Sequence, residues 1–395
     1  MNVKIIGLGA AGNKASVRAV SNGLLKEEDV LLLNTAIQDI AQEYKSRSVI
    51  FNKGGSGGCG KERARSKDLI VKALQDGFLT KDLNSFINPG DLVIIVTSTE
   101  GGTGSGAAPV LAAYINEVIG TRPQLIAFTG TEDDLRGLQN TADFFKDCAN
   151  MCADCTIQAI SNKKFMTDAN GNKLKAEILA NDEFVSRVKV LQGSVIRESE
   201  QNIDAMDHRK LVTTPGYMSI MVHSTQEPIE TVDQFNKLCD SIVASSKSLS
   251  TSGTKMTRLG VIATLSDTDK ENVDWSFDKI KSAFGIVGEV YTHVQKPLDE
   301  TRQIIIVEAG LEMPLDFVMS TYEKFKQRTE KMNSNSTDFL SRLGQLDTAG
   351  SSLDFDRDEL SGGKTKTSDF FNKISGTKNN SGFKNTKTDD TISNV

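Results

Sequence analysis

Three short, almost wholly apolar runs each end in a cluster of glycines, and this repetition limits the folds open to the 395-residue chain more than any other feature. The runs at 3–7, 48–51 and 91–97 lead into GLGAAG (7–12), NKGGSGGCGKE (52–62) and, after Ser98-Thr99-Glu100, GGTGSG (101–106). Similar runs stand at 30–33, 124–129 and 156–160, and helical stretches at 14–22, 61–76, 107–119 and 137–153 lie between most of them. Strands this apolar are covered on both faces. Their alternation with helices predicts an α/β fold on a doubly wound, mostly parallel sheet with right-handed crossovers. Ligands of such sheets bind at the carboxyl ends of the strands, where all three glycine loops fall.

The order of elements changes after residue 175. A long helical stretch is expected from 176 to about 199, then a loop and short helix at 201–211, a strand at 217–222 and a helix at 232–245. Strands at 259–265, 286–294 and 303–309 follow, then a helix from 314 to about 332 and a further short one at 338–346. The chain thus divides into a first domain (1–175), a central helix (176–200), a smaller α+β second domain (201–312), C-terminal helices (313–346) and a tail (347–395). Residues 361–395 hold six Lys and three Asp. Such a segment cannot bury enough apolar surface to offset its ordering entropy, so the tail reads as disordered.

Composition serves mainly to exclude. No apolar run reaches the ~18 residues of a membrane span, and the first residues lack the layout of a secretion signal. Five Cys (59, 148, 152, 155 and 239) without such a signal predict reduced thiols in the cytoplasm. The net charge of −6 argues against broad nucleic-acid binding by the body of the protein. Three widely separated His leave little for a zinc site. In CANMCADC (148–155) three thiols fall on one helix face, where free Cys packs as a small hydrophobe.

The first loop offers free backbone N–H groups and the positive end of a helix dipole to a phosphate. Its G-x-G-x-x-G spacing also fits a dinucleotide site, but that site needs an acidic residue after the second strand, and Leu33 is followed by Asn34-Thr35. Gly55 to Lys61 fits G-x-x-x-x-G-K, yet Glu62 stands where a P-loop needs Ser or Thr, and its carboxylate would repel phosphate. In the third loop, two glycine pairs around Thr103 and Ser105 form a nest of N–H groups with two hydroxyl donors, suited to a multiply charged phosphate chain. Ala107-Ala108-Pro109 then opens a helix, with Pro expected in its first turn.

The segment GGTGSGAAP resembles the signature of the tubulin/FtsZ superfamily of GTPases. GLGAAGN (7–13) is similar to that family's first phosphate loop, Asn34-Thr35 to the loop after its second strand, and GGSGGCG (54–60) to its third glycine loop. Ile160-Ser161-Asn162 resembles the strand end that presents a base-reading Asn, and QNIDAMD (201–207) resembles the catalytic N-x-D-x-x-D loop. The resemblance implies bound GTP or GDP with Mg2+, with no residue of this chain assigned to the metal. It places the nucleotide on Gly9, Ala10, Ala11, Asn34, Gly55, Gly57, Gly58, Gly101, Gly102, Thr103, Gly104, Ser105 and Gly106. Asn13, Asn162 and Asp182 then read guanine, with Asn181 the next candidate, and an acidic side chain in 132–134, Glu132 first, holds the ribose. Subunits stack head to tail, an open heterologous contact that makes a filament. Asn202, Asp204 and Asp207 of one subunit complete the active site of the next and polarise the attacking water.

Several positions depart from the FtsZ pattern. Glu100 stands where the signature loop has a small residue, Ala36 replaces an Asp, and the long helix reads as extended. The C-terminus lacks the Pro-Phe-Leu peptide; Asp369-Phe370-Phe371 is a faint echo. These features are more similar to TubZ-type tubulins of plasmids and bacterial viruses, which implies a filament that moves DNA through a DNA-bound adaptor on the tail. Two alternatives stay open. One is a divergent FtsZ of cell division, with a tail that binds a membrane tether. The other is a dinucleotide-binding enzyme or module that never polymerises, supported by 7–12 alone and opposed by Asn34.

Overall fold

The six apolar runs of the first half become six parallel strands: β1 (Val3–Leu8), β2 (Val30–Asn34), β3 (Ser48–Ile50), β4 (Leu92–Ser98), β5 (Gln124–Thr129) and β6 (Thr156–Ser161). Four more follow as β7 (Gly216–Thr225), β8 (Lys255–Thr264), β9 (Ile286–Gln295) and β10 (Arg302–Leu311). The computed structural model describes residues 1–53, 57–199, 203–251, 253, 255–282 and 284–343, all within the unit Met1–Gly350. Gly55, Asn202 and the expected tail at 347–395 lie outside the described residues.

All ten strands join one sheet in the order β3-β2-β1-β4-β5-β6-β7-β10-β8-β9. Pairing is parallel except on the two sides of β10. The sheet narrows between β6 and β7, which share two residue pairs, Thr156–Gly216 and Ile157–Tyr217. The strand order reverses between β1 and β4, so a crevice opens at their carboxyl ends.

The helices of the first half are α1 (Gly9–Ser21), α2 (Arg63–Gln75), α3 (Phe78–Phe86), α4 (Thr103–Tyr114), α5 (Leu135–Met151) and α6 (Asn162–Asp168). After them come α7 (Lys173–Gln192), α8 (Ala205–Val212), α9 (Val232–Ser245), α10 (Asp267–Lys270), α11 (Asp278–Lys281) and α12 (Leu315–Leu343). Local chemistry sets several boundaries. Asp134 caps α5 by accepting the Gly137 N–H at 2.8 Å, and Thr231 and Gln234 form a reciprocal capping box on α9.

Four differences from the sequence reading have physical causes. The long helix starts earlier, at Lys173, and stops at Gln192 rather than near 199, because Gly193 takes the left-handed conformation (φ 80°) that ends it. The described part of the expected short helix, 338–343, continues α12, which runs unbroken to Leu343; 344–346 lie outside the described residues. Helix α3 was not expected; Leu79 and Leu83 anchor it in the core. Helix α4 begins at Thr103, so Pro109 lies in its second turn, not its first. There proline leaves the Ser105 carbonyl without its usual helical donor. Arg63 supplies one instead, with Nη2 donating to the Ser105 carbonyl at 2.9 Å.

One apolar core extends from β1 and β4 across α7 to β7 and β10. Phe184 of α7 is fully buried and meets Phe128 edge-on, with ring centroids 6.4 Å apart. Truncating a side chain so placed costs about 3–5 kcal/mol. Arg187, one turn along, is also fully buried. It donates to Glu183 (2.9 Å), Gln158 of β6 (3.2 Å) and Ser248 (3.0 Å), which satisfies its charge and ties both halves to α7. All five thiols are free and buried, but 148, 152 and 155 do not share a helix face as expected. Helix α5 ends at Met151, so only Cys148 lies on it, and Cys152 and Cys155 pack from the turn before β6.

Candidate functional site

The glycine loops converge at the crevice because their backbones approach more closely than any side chain allows. Gly9 has φ 76°, and a Cβ there would sit 3.1 Å from the backbone nitrogen of Gly104. A Cβ on Gly102 would meet the backbone of Lys61 and Glu62 at 2.8 Å. The loop before α2, which carries Gly57 and Gly58, therefore packs directly on the loop before α4. Asn140 of α5 fastens the two together, donating to the carbonyls of Lys61 (3.0 Å) and Glu100 (2.9 Å).

Within the third loop the two hydroxyls have different roles. Ser105 is fully buried; its hydroxyl donates to the Gly101 carbonyl at 2.5 Å and accepts from Arg63 Nε at 3.1 Å. It braces the loop instead of facing a ligand. Thr103 lies 2.8 Å from Thr35, hydroxyl to hydroxyl, which joins the start of α4 to the end of β2. Asn34 accepts the Thr35 N–H at 2.8 Å, while its buried Nδ2 has no partner.

Two clefts flank this nest. The larger, about 390 Å³, lies between α1 and α7, and Ala10, Ala11, Asn162, Asn181, Lys14 and Glu100 are among the residues lining it. The second, about 270 Å³, is lined by Asn13, Asn181 and Arg18 among others. Lys14 and Glu177 line both and form a 2.6 Å ion pair between them. That pair is half exposed and contributes little to stability. Asn13 is 3% exposed, and neither its Oδ1 nor its Nδ2 has a partner. An amide left so costs about 1–3 kcal/mol, which marks it as a group placed for a ligand.

Two expected contacts are turned elsewhere. Asp182 is not among the residues lining either cleft; it pairs with Arg18 at 2.7 Å, which leaves Asn181 facing the space. Glu132, in the left-handed conformation (φ 66°), has its carboxylate between Lys324 (2.5 Å) and Lys163 (3.2 Å). Burial raises its pKa, but the two lysines outweigh that and hold it below the usual range. Besides Glu177, the acid that lines the larger cleft is Glu100, whose carboxylate occupies the space beside Gly130. Burial pushes its pKa up, opposed by the Glu132 N–H donated at 3.2 Å. Lys14, Arg63, Asn140 and Glu177 were not legible as site residues; no motif carries them.

The acidic loop lies at the other end of the sheet. Asp204 caps α8, accepting the Asp207 N–H at 2.7 Å, and Asp207 pairs with Lys210 at 3.0 Å. Helix α8 is fastened to the amino ends of the strands. Arg209 donates to the Gly90 carbonyl at 3.0 Å, and Gln124 at the start of β5 donates to the Val212 carbonyl at 2.5 Å. The crevice is at the carboxyl ends, roughly 20 Å away along a strand of this length.

A glycine nest at a sheet's switch point, beside a cleft with orphaned amides, defines a nucleotide-binding α/β domain. Residues 2–169 match the GTPase domain of the Tubulin/FtsZ family, and the chain accordingly carries a tubulin/FtsZ-family GTPase domain. Cell division protein FtsZ 1 of Pyrococcus horikoshii is 21% identical over 351 residues, 85% of this chain and 86% of that protein. TubZ of Bacillus thuringiensis serovar israelensis, in a GTPγS-form protofilament, matches with a TM-score of 0.68 at 15% identity, covering 85% of this chain and 94% of that one. CetZ2 from Haloferax volcanii, a GTPγS-bound protofilament, gives 0.66 at 15% identity over 84% and 100%. The structural likenesses establish a tubulin-like fold. No described helix is long and apolar enough to cross a membrane.

Proposed function

We propose that the protein hydrolyses GTP between head-to-tail copies of itself and that the resulting filament moves or segregates plasmid or phage DNA. The observation that carries this reading is the separation of the crevice from Asp204 and Asp207. They sit at opposite ends of the parallel strands, so one subunit cannot bring them together, whereas stacking two copies along the strand direction can. In this reading the narrow β6–β7 join separates a GTP-binding domain (1–175) from an activation domain (201–312), with the central helix between them and the C-terminal helices at 313–346.

The nest at 9–12 and 101–106 holds the phosphates, with Gly57, Gly58, Thr35 and Thr103 beside them. Asn13, Asn162 and Asn181 read the base. Carboxylates of Asp204 and Asp207, with Asn202, orient a water against the γ-phosphate, so the chemistry rests on positioning and electrostatics. No group of three or more His, Cys, Asp or Glu is placed to hold a metal among the described residues. This donor set suits a magnesium ion held by the nucleotide's phosphates, the two threonines and water, where it offsets phosphate charge.

Right-angle light scattering across a protein concentration series tests the assembly. A rise that needs GTP and Mg2+, starts above a critical concentration and decays as GTP is consumed supports the reading; a flat trace with measurable GTP binding removes the filament. A second reading, FtsZ-like division, is favoured by sequence relatives whose names are cell division protein FtsZ. Deletion of 347–395 separates the two. Under the DNA reading it leaves assembly intact and abolishes co-sedimentation of DNA with its adaptor; under the division reading it abolishes co-sedimentation of vesicles with a membrane tether.

A further inference from the structure

The C-terminal helix reaches the loop beside the larger cleft. Phe317 of α12 meets Phe145 of α5 edge-on at 6.0 Å between ring centroids, and Thr321 is buried one turn later. The same face continues to Lys324 and Arg328. Lys324 Nζ lies 2.5 Å from Glu132 Oε2. Arg328 Nη1 donates to the carbonyls of Glu132 (2.9 Å) and Asp133 (3.1 Å). The loop they hold is anchored on its other side to the cleft: Gly130 and Thr131 line it, and the Glu132 N–H reaches Glu100, which lines it too.

We infer that Lys324 and Arg328 are positioning residues of the nucleotide site, through which α12 sets nucleotide affinity without touching the nucleotide. The inference rests on the reading of the cleft as a GTP site. Two physical terms act in the same direction. Four carboxylates (Glu100, Glu132, Asp133 and Asp134) cluster beside a site meant for a polyanion, and Lys61, Lys163 and Lys324 offset them. Glu132 also holds a left-handed conformation that a side-chain-bearing residue keeps only when its surroundings impose it. The Glu132 side chain is 13% exposed, so its ion pairs are not of the weak, fully solvated kind. Without the two cations the loop relaxes, and its negative charge is offset only by Lys61 and Lys163.

The test uses the full-length protein with three variants: Lys324→Ala with Arg328→Ala, Lys324→Arg, and Lys326→Ala as a charge control from the exposed side of α12. Affinity for a fluorescent GTP analogue is measured at low and high salt, and amide exchange of 130–134 is followed without nucleotide. The double variant should bind about tenfold more weakly at low salt, within the usual range of coupling between sites. The loss should shrink at high salt, where the charge term is screened, and exchange at Glu132 should quicken. Lys324→Arg should retain affinity, and Lys326→Ala should match wild type. Faster exchange with unchanged affinity overturns the inference, as does an equal loss in Lys326→Ala. If wild type itself binds no guanine nucleotide, the reading of the cleft fails and the inference with it; wild-type binding with an unaltered double variant sinks the inference alone.

Discussion

The two ends of the parallel strands are built on different principles. At the carboxyl ends the backbone itself is the device: glycines let loops touch, Ser105 and Asn140 brace them, and the amides of Asn13 and Asn34 are buried before any ligand arrives. At the amino ends stand the carboxylates of Asp204 and Asp207, engaged with the start of α8 and with a surface lysine. In the proposed function, binding is organised within one chain and hydrolysis waits for a second. On the same proposal, the separation of the acidic loop from the crevice leaves bound GTP intact until subunits stack.

The largest effect expected to test this contrast comes from Asp204→Ala. Phosphate release should fall by about 10²–10³, the typical cost of a lost electrostatic group in an active site, while GTP affinity stays unchanged. Because Asp204 also caps α8, the variant loses about 1 kcal/mol of stability. Asp204→Ser restores the cap without the carboxylate, so recovery of stability but not of turnover separates the two roles. Equal loss of GTP binding and turnover would break the contrast.

Gly12→Ala probes the other end. Its Cβ would press on the Val96 carbonyl, which has no room to yield between β1 and β5. A cost of about 1–3 kcal/mol or more is expected in a thermal melt, together with loss of GTP binding. A variant that melts and binds like wild type would show that the crevice is not backbone-limited.

Glu308 lies outside both ends and calibrates global stability. Buried in β10, its carboxyl is pushed up to about 7, chiefly by burial, against the opposing hydrogen bond of Ser219. A raised folded-state pKa means stability is full below the ordinary carboxylate range and falls as pH rises toward and through 7. Urea unfolding at about pH 5 and about pH 8 should differ by on the order of 2–3 kcal/mol from this group, and Glu308→Gln should flatten that slope. A flat wild-type profile would contradict it. The smallest effect belongs to Lys210→Ala, which removes an exposed partner of Asp207. Its melting temperature should match wild type, and a clear drop would mean that Asp207 serves the fold more than the reaction.

Much of this was legible because it is local. Strand positions followed from apolar runs between helical stretches, whereas the stop of α7 at Gly193 was passed over and the helix expected to run to about 199. The choice of Asn181 over Asp182 was not legible: adjacent helical residues differ by about 100° in direction, and only packing sets which one faces the cleft. Nor was the pairing of Arg63 with the Ser105 carbonyl, which a misplaced Pro109 concealed. Glu132 shows the limit most clearly. Its partner Lys324 is 192 residues away, and no local pattern links them.

The sequence by itself determined the alternation of strand and helix, the loops that cradle phosphate and the acidic segment that follows the long helix, since each depends on neighbours in the chain. Tertiary structure alone decided which polar groups face the cleft, that Ser105 braces instead of binding, and that α12 closes on the loop at 130–134. Those outcomes depend on distances between elements far apart in sequence, and burial and charge act through space.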